Sequence, residues 1–318
     1  MSTIKLACAF TALAACVGSA AAQSDVTVYG RIDLSLAQQA DALKNREIRN
    51  GSTSRIGFRG AEDLGGGLRA FFDFQHRFNA DTGTQSDIRF WEGRSVVGLQ
   101  GGLGQLFLGR YEAATYELVE LPADPWGADT VASNATIIRG RIGNNRISNS
   151  INYRFAASGL IFGAQFAETD DNVLAGGADK RPYNLAVAYA AGPLNVGIGY
   201  ENPPDADDNW LTVSGSYNLG FAKIGALIGS GKNAADQKHQ SWLISATAPL
   251  GAGEFRASYG QLKNKATGLK LDKQFAVGYH YALSKRTTVY ADLVNERRDN
   301  IPANFEKTGY DFGIKHNF

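Results

Sequence analysis

Beyond residue 16 the chain has no cysteine. Its two, Cys8 and Cys16, lie in an apolar N-terminal stretch. Neither a disulfide framework nor a cysteine metal site is available to the rest. Methionine occurs once and proline eight times in 318 residues. After the N-terminus no run approaches about 18 consecutive apolar residues, so no transmembrane helix is readable. An excess of one charge sign is also missing. With net charge +1 and 20% charged residues, the chain is neither a strongly basic nucleic-acid binder nor a highly charged disordered polymer.

Signatures of chemistry are equally scarce. His76, His239, His280 and His316 are the only histidines, and no two stand at metal-ligand spacing. Asp73 and His76 fall on opposite parities of one alternating stretch, and His280 and His316 have no obvious acidic partner. "GSGKN" (Gly229 to Asn233) lacks the spacing of a phosphate loop and reads as an exposed loop. "RGRIGNNR" (Arg139 to Arg146) has no interleaved aromatics of the kind that stack nucleic-acid bases. No catalytic residue, cofactor, metal or nucleic-acid partner is expected.

Glycine and aromatics are plentiful: 37 Gly, 13 Tyr and 17 Phe, a composition of turns and strands. The N-terminus is a targeting segment. Lys5 is its one charge, an apolar run spans Leu6 to Val17, and "GSAAA" precedes Gln23. Ala20 and Ala22 satisfy the small-x-small rule, so residues 1–22 read as a secretory signal peptide cleaved after Ala22. "LAAC" (Leu13 to Cys16) offers a lipidation box as the alternative, but the Ala-rich site just before the first strand suits ordinary processing better. The remaining domain, 23–318, carries 31 basic and 31 acidic residues.

Period-two alternation recurs along that whole domain. "VTVYGRIDLSL" places Val26, Val28, Ile32, Leu34 and Leu36 on one face, and Thr27, Tyr29, Arg31, Asp33 and Ser35 on the other. "LRAFFDFQHR" sets Leu68, Ala70, Phe72 and Phe74 against Arg69, Phe71, Asp73, Gln75 and Arg77. Connections alternate between short (near 62–67, 100–104, 156–159, 191–193, 219–220, 249–253, 282–286) and long (near 37–53, 78–89, 113–145, 168–181, 202–209, 230–239, 263–272, 297–307). Fifteen connections join sixteen strands.

A soluble β-sandwich also has many short strands. The unbroken up-and-down order, the segregation of short turns to one side and the even strand number favour a closed transmembrane barrel instead. Apolar positions then face lipid, polar ones face a wet lumen, and closure leaves no unpaired backbone in hydrocarbon. The C-terminal "YDFGIKHNF" fits this reading. Tyr310, Phe312, Ile314, His316 and Phe318 share one parity, and a last strand that must pair with the first cannot fray. A terminal aromatic belongs at the membrane interface.

On these residues the chain resembles a Gram-negative trimeric general-diffusion porin of the beta-proteobacterial type. "QSDVTVYGRIDLSL", "SRIGFRGAEDLGGGLRAFFDFQ", "VVGLQGGLGQLFLGR", "NRISNSINYRF" and the terminal "FGIKHNF" carry the resemblance. Residues 168–272 match only in pattern. The resemblance implies sixteen-stranded barrels associated in threes, with the third long loop folded into the lumen. It also implies an assembly signal at Phe318, Phe312 and Tyr310 read by the barrel-assembly machinery, and outer-membrane lipid and lipopolysaccharide as surroundings. Here the third long connection, 113–145, is the longest. It carries Glu117, Glu120, Asp124 and Asp129, and has "DPWG" where the family often has a Pro-Glu-Phe-Gly-like turn.

The polar parity of the first six strands holds Arg31, Arg55, Arg59, Arg69, Arg77, Arg94, Arg146 and Arg154 against Asp33, Asp73 and Glu92. That is a basic wall, and an infolded acidic loop would face it. Arginine clusters in a pore favour anions. By resemblance, Arg55, Arg94 and Arg146 mark the constriction, with Arg31 a weaker candidate. Arg110 shares the parity of Leu106 and Leu108 and needs a rim position, a subunit interface or a bulge. Inward aromatics (Tyr29, Phe71, Phe90, Phe107, Tyr290) look scattered, unlike a sugar-binding ladder. The expected function is passive diffusion of small hydrophilic solutes and inorganic ions. Alternatives are a channel selective for anionic metabolites on the same barrel, an outer-membrane hydrolase, and an adhesin with a plugged lumen.

Overall fold

The computed structural model describes residues 25–168, 181–204 and 208–318. The signal peptide, its cleavage site and most of the connection near 168–181 lie outside those residues. Sixteen antiparallel wall strands follow one another in chain order. The first six are β1 (Asp25–Gln38), β2 (Arg46–Asn50, continued by Ser54–Gly65), β3 (Leu68–Asn79), β4 (Arg94–Gly101), β5 (Gly104–Glu112) and β6 (Arg146–Ala157). The next five are β7 (Leu160–Ala167), β8 (Tyr183–Ala191), β9 (Leu194–Asn202), β10 (Asn209–Asn218) and β11 (Lys223–Lys232). The wall ends with β12 (Lys238–Leu250), β13 (Gly253–Asn264), β14 (Lys270–Ala282), β15 (Thr287–Glu296) and β16 (Thr308–Asn317). Each pairs with its neighbour in sequence. β16 returns to β1, with Arg31 opposite Asn317 and Gln38 opposite Tyr310, and closes the barrel.

The alternation has the inverted sense of a membrane barrel. Val26, Val28, Ile32 and Leu36 are exposed on the outside of β1, while Asp33 and Ser35 are buried inside. The seam extends to the last residue. Gly30 N–H donates to Phe318 O at 3.0 Å, and Phe318 N–H donates to Gly30 O at 3.1 Å. The Phe318 ring lies over Gly30, where a Cβ would come within 2.4 Å of it.

Short turns gather at one end and long connections at the other, as the alternation implies. Three long connections are shorter than the sequence suggests. Arg46–Asn50 is strand, paired with Leu34–Gln38, although the pattern placed a loop over 37–53. The strand breaks only at Gly51–Thr53. There the Asp33 carboxylate accepts from Ser52 N–H (2.9 Å), Ser52 Oγ (2.6 Å) and Tyr290 Oη (2.6 Å). Similarly, Gly229–Lys232 of "GSGKN" completes β11 rather than forming a loop. The connection near 263–272 narrows to 265–269.

The hydrophobic core lies inside the barrel. Trp210, Leu227, Leu243 and Leu262 face inward from β10, β11, β12 and β13. They are covered by Ile137, Ile138 and Ile142 of the third long connection. This segment, 113–145, holds a π-helical turn (Tyr116–Glu120), a 3-10 turn (Leu121–Ala123) and one short α-helix (Ala135–Arg139). It bends back at Gly140, which has φ 64° and no room for a Cβ beside the Trp210 ring. Four large apolar side chains on a wet lumen wall would be costly. Covering them with isoleucines fixes the loop to one side of the barrel.

Candidate functional site

The loop is tied along β10 to β16. Ser214 Oγ donates to Val119 O (2.6 Å), Ser245 Oγ to Ala123 O (2.9 Å) and Trp210 Nε1 to Ile138 O (3.1 Å). Trp126 Nε1 donates to Asp292 Oδ1 (2.8 Å), and Val131 N–H to Asp311 Oδ2 (3.2 Å). The helical turns of the loop pack on β8 to β13, across the lumen from the wall formed by β1 to β6, where the arginines stand.

The arginines occupy defined registers. Arg31 is directly opposite Arg55, and Arg55 directly opposite Arg77. Three like charges thus form one row across β1, β2 and β3. Directly opposed like charges destabilise a sheet, so the row is not explained by folding stability. Among the described residues, neither Arg55 nor Arg77 has a carboxylate within 4 Å. Arg55 Nε donates to Thr53 O (3.0 Å) and Arg77 Nε to Gln75 Oε1 (3.0 Å). Arg31 Nη1 meets Asp129 at 3.2 Å.

Arg94 and Arg146 are bound differently. Arg94 contacts Asp73 (3.0 Å) and Glu112 (2.9 Å), and Arg146 shares Glu112 at 3.3 Å. Glu112 was not visible in the alternation, which would turn it outward with Leu108. The register slips between Gly109 and Tyr111, where β6 carries an extra residue and Gly109 has φ 119°. Such a bulge re-aims side chains, and Glu112 lies inside between two arginines. Arg154 pairs with Glu117 at 3.1 Å. Arg59 stacks over the Tyr29 ring (5.1 Å), whose hydroxyl donates to Asp73 (2.5 Å). Arg69 is opposite Asp63 and lies toward the short turns.

The four loop acids separate into two pairs. Glu117 and Asp129 reach the basic wall. Burial pushes the Asp129 carboxyl above its usual range, although Arg55 and Arg31 pull it down. Glu120 and Asp124 do not face the arginine row. Glu120 is fully buried against β10, accepting from Thr212 Oγ1 at 3.1 Å. Burial and neighbouring Glu201 push its carboxyl well up. Asp124 shapes the loop itself, accepting from Trp126, Ala128 and Asn134 N–H and from Asn134 Nδ2. Its carboxyl is raised by burial. Glu92 also leaves the wall and accepts from Ser86 in the second long connection.

Three further expectations need revision. His280 does have an acidic partner: its Nε2 lies 3.1 Å from Asp292 Oδ1. Asp292 is on the next strand, twelve residues on and across a turn, invisible to local spacing, and it also holds Trp126, so the pair anchors the loop. The inward aromatics are not all scattered. Phe71 and Phe107 meet at 5.8 Å, and Phe107 and Tyr111 at 4.9 Å, with Arg94 4.9 Å above the Tyr111 ring. Phe90 is not among them. It is exposed and stacks on His76 at 4.2 Å. Arg110 takes the rim. Its Nε donates to Glu92 O (2.7 Å) and its Nη1 to Ser148 Oγ (3.0 Å), at the long-loop end of β5.

A closed sixteen-stranded barrel with a polar lumen, narrowed by one infolded loop against an arginine wall, is a pore. The profile of the Gram-negative porin family matches residues 9–301. The outer membrane porin protein 32 of Delftia acidovorans is 31% identical over 96% of this chain and 98% of its own. An outer membrane porin protein of Bordetella pertussis is 27% identical over 96% and 97%. The structure of an anion-selective porin from Comamonas acidovorans superposes with a TM-score of 0.80. It is 29% identical and covers 93% of this chain and all of that one. The chain belongs to the Gram-negative porin family.

Proposed function

We propose that this porin forms an anion-preferring diffusion channel in the outer membrane of a Gram-negative bacterium, with its long loops outside and its short turns in the periplasm. The row Arg31, Arg55 and Arg77 carries this reading, because two of its three guanidiniums have no carboxylate partner among the described residues. In a channel one loop wide, ions pass within a Debye length of those charges, about 8 Å at physiological ionic strength. The positive potential raises local anion concentration, and Asp129 and Glu117 on the opposite side set up a transverse field. Apolar solutes are disfavoured because they cannot replace the oriented water of such a field. The anion selectivity of the Comamonas porin supports the reading.

The mature chain starts at Gln23 and assembles as a homotrimer, with outer-membrane lipid and lipopolysaccharide around it. Phe318, Phe312 and Tyr310 form the assembly signal for the barrel-assembly machinery. Channel recordings test the whole reading. Conductance that closes in three equal steps, with a zero-current potential of the sign set by anions in a salt gradient, is expected. A folded barrel without conductance, or a cation-signed potential, would contradict it.

A further inference from the structure

Each of the three residues at the break in β2 holds one charged element of the lumen. Gly51 O accepts from Thr130 N–H at 2.9 Å, next to Asp129 in the infolded loop. Ser52 Oγ accepts from Arg31 Nη1 at 3.1 Å, and the same nitrogen reaches Asp129 Oδ2 at 3.2 Å. Thr53 O accepts from Arg55 Nε at 3.0 Å. Register shows how the break arises. Asn50 stands opposite Leu34 and Arg55 opposite Arg31, so four residues of β2, Gly51 to Ser54, face two of β1, Ile32 and Asp33. An excess of two preserves the alternation. The break frees backbone and hydroxyl groups for other partners without turning Arg55 outward.

The break is itself held from behind. Asp33 Oδ2 takes both the N–H and the hydroxyl of Ser52, and Asp33 Oδ1 takes the Tyr290 hydroxyl from β15. Hydrogen bonds to a carboxylate are strong and directional. A Cβ on Gly51 would land on the Tyr290 hydroxyl, so glycine is needed for this link to form. Ser52, Asp33 and Tyr290 are 2%, 1% and 5% exposed, so a passing ion does not touch them. Arg31 is fixed from its other side, where Nε donates to Asn317 Oδ1 at 2.8 Å.

We propose that this break is the positioning element of the anion filter: Ser52, Asp33 and Tyr290, out of contact with permeating ions, fix Arg31, Arg55 and Asp129 relative to one another and so set the strength of anion preference. The proposal rests on the anion-channel reading above and assigns its control to residues outside the water column. Bulges concentrate next to functional sites, where they re-aim groups, and functional groups keep their geometry only when their neighbours are locked. Release has a defined direction. Without the Ser52 hydroxyl, Arg31 loses an acceptor and Asp33 loses a donor. The freed Asp33 oxygen then attracts Arg31, two residues away on the same face of β1, and that pairing cancels positive charge on the wall. Loss of the Tyr290 hydroxyl frees the other Asp33 oxygen with the same result.

The test uses the full barrel, purified folded from outer membranes, in planar bilayers under a potassium chloride gradient. Ser52→Ala and Tyr290→Phe change no charge, so a shift in selectivity reports moved groups rather than a deleted charge. Each is expected to lower the anion-to-cation permeability ratio about twofold or more. Ser52→Thr keeps the hydroxyl and should hold the parent ratio. Ser241→Ala removes a buried hydroxyl of β12 that has no hydrogen-bond partner among the described residues, and should leave the ratio unchanged. The parent ratio in both Ser52→Ala and Tyr290→Phe would overturn the proposal. So would equal losses in Ser52→Ala and Ser52→Thr, or an equal loss in Ser241→Ala. Lower heat resistance with an unchanged ratio would overturn it too, by assigning the break to stability alone. Arg55→Ala separates the two levels. A shift there, with none in Ser52→Ala, removes the positioning role and leaves the channel reading standing, whereas a parent without the anion sign removes both. If Ser52→Ala does not fold, Tyr290→Phe gives the same comparison.

Discussion

Arg55 and Arg77 stand directly opposite each other on β2 and β3, with no carboxylate on either guanidinium among the described residues. A pair of unneutralised like charges in register costs stability. Its place on the lumen wall, in the row that the infolded loop meets through Asp129, gives it a use. Replacing either residue by alanine should lower the anion-to-cation permeability ratio, and replacing both should lower it further. Zero-current potentials in a salt gradient measure the ratio. The barrels should fold at least as well as the parent, since repulsion is relieved.

Glu112 neutralises part of the same wall by bridging Arg94 and Arg146. Glu112→Gln removes one negative charge among arginines. Anion preference should rise. The remaining Arg94 and Arg146 would repel, and breaking a largely buried pair costs up to about 3 kcal/mol here. Thermal unfolding of the variant should therefore shift down while its selectivity shifts up. Selectivity that falls would contradict the placement of Glu112.

Asp129 gives the channel a pH response. Burial raises its carboxyl above the usual range, so it takes up a proton earlier than an exposed aspartate as pH falls. The protonated form no longer offsets Arg31. Anion preference should increase on mild acidification and decrease as pH rises through the raised value. Asp129→Asn should show the acid-side preference at all pH values and lose that step. A parent channel whose selectivity is flat across this range would exclude the role.

Trp126 and Asp292 hold the tip of the infolded loop to the far wall. Trp126→Phe removes the indole N–H from Asp292 Oδ1 and leaves that buried acceptor with only His280. The loss of about 1–3 kcal/mol should loosen the loop without opening the barrel. Increased open-channel current noise, with unchanged heat resistance of the barrel, is the expected record.

Phe318 closes the seam by two backbone bonds to Gly30 and by its ring. Deleting Phe318, or placing Gly30→Ala beneath the ring, should reduce the amount of folded protein in outer-membrane fractions. The deletion should have the larger effect. Normal levels of both would mean that the seam tolerates fraying and that the terminal aromatic is not an assembly signal.

Much of this was legible in the alternation. Strict period two in "VTVYGRIDLSL" and "LRAFFDFQHR" fixes the lumen side of Arg31, Arg69 and Arg77, because a sheet has only two faces. The alternation of short and long connections yields the strand number. Alternation could not show the break at Gly51, which depends on Tyr290 and Asp33 meeting across the seam. Nor could it show the inward turn of Glu112, which depends on an extra residue in the partner strand. His280 and Asp292 are joined by register rather than by local spacing. The retreat of Glu120 and Asp124 from the arginine row follows from the loop docking on Trp210, Leu227, Leu243 and Leu262. Their apolar side chains break the polar parity of the lumen from strands far along the chain.

The most direct test is the zero-current potential of the parent and of Arg55→Ala/Arg77→Ala in a tenfold potassium chloride gradient across a planar bilayer. The parent should show the anion sign, with a smaller value at high salt because the wall is screened within about 3 Å at 1 M. The double variant should move toward zero or reverse. A parent potential near zero, or one that the double variant leaves unchanged, would contradict the arginine row as the source of selectivity.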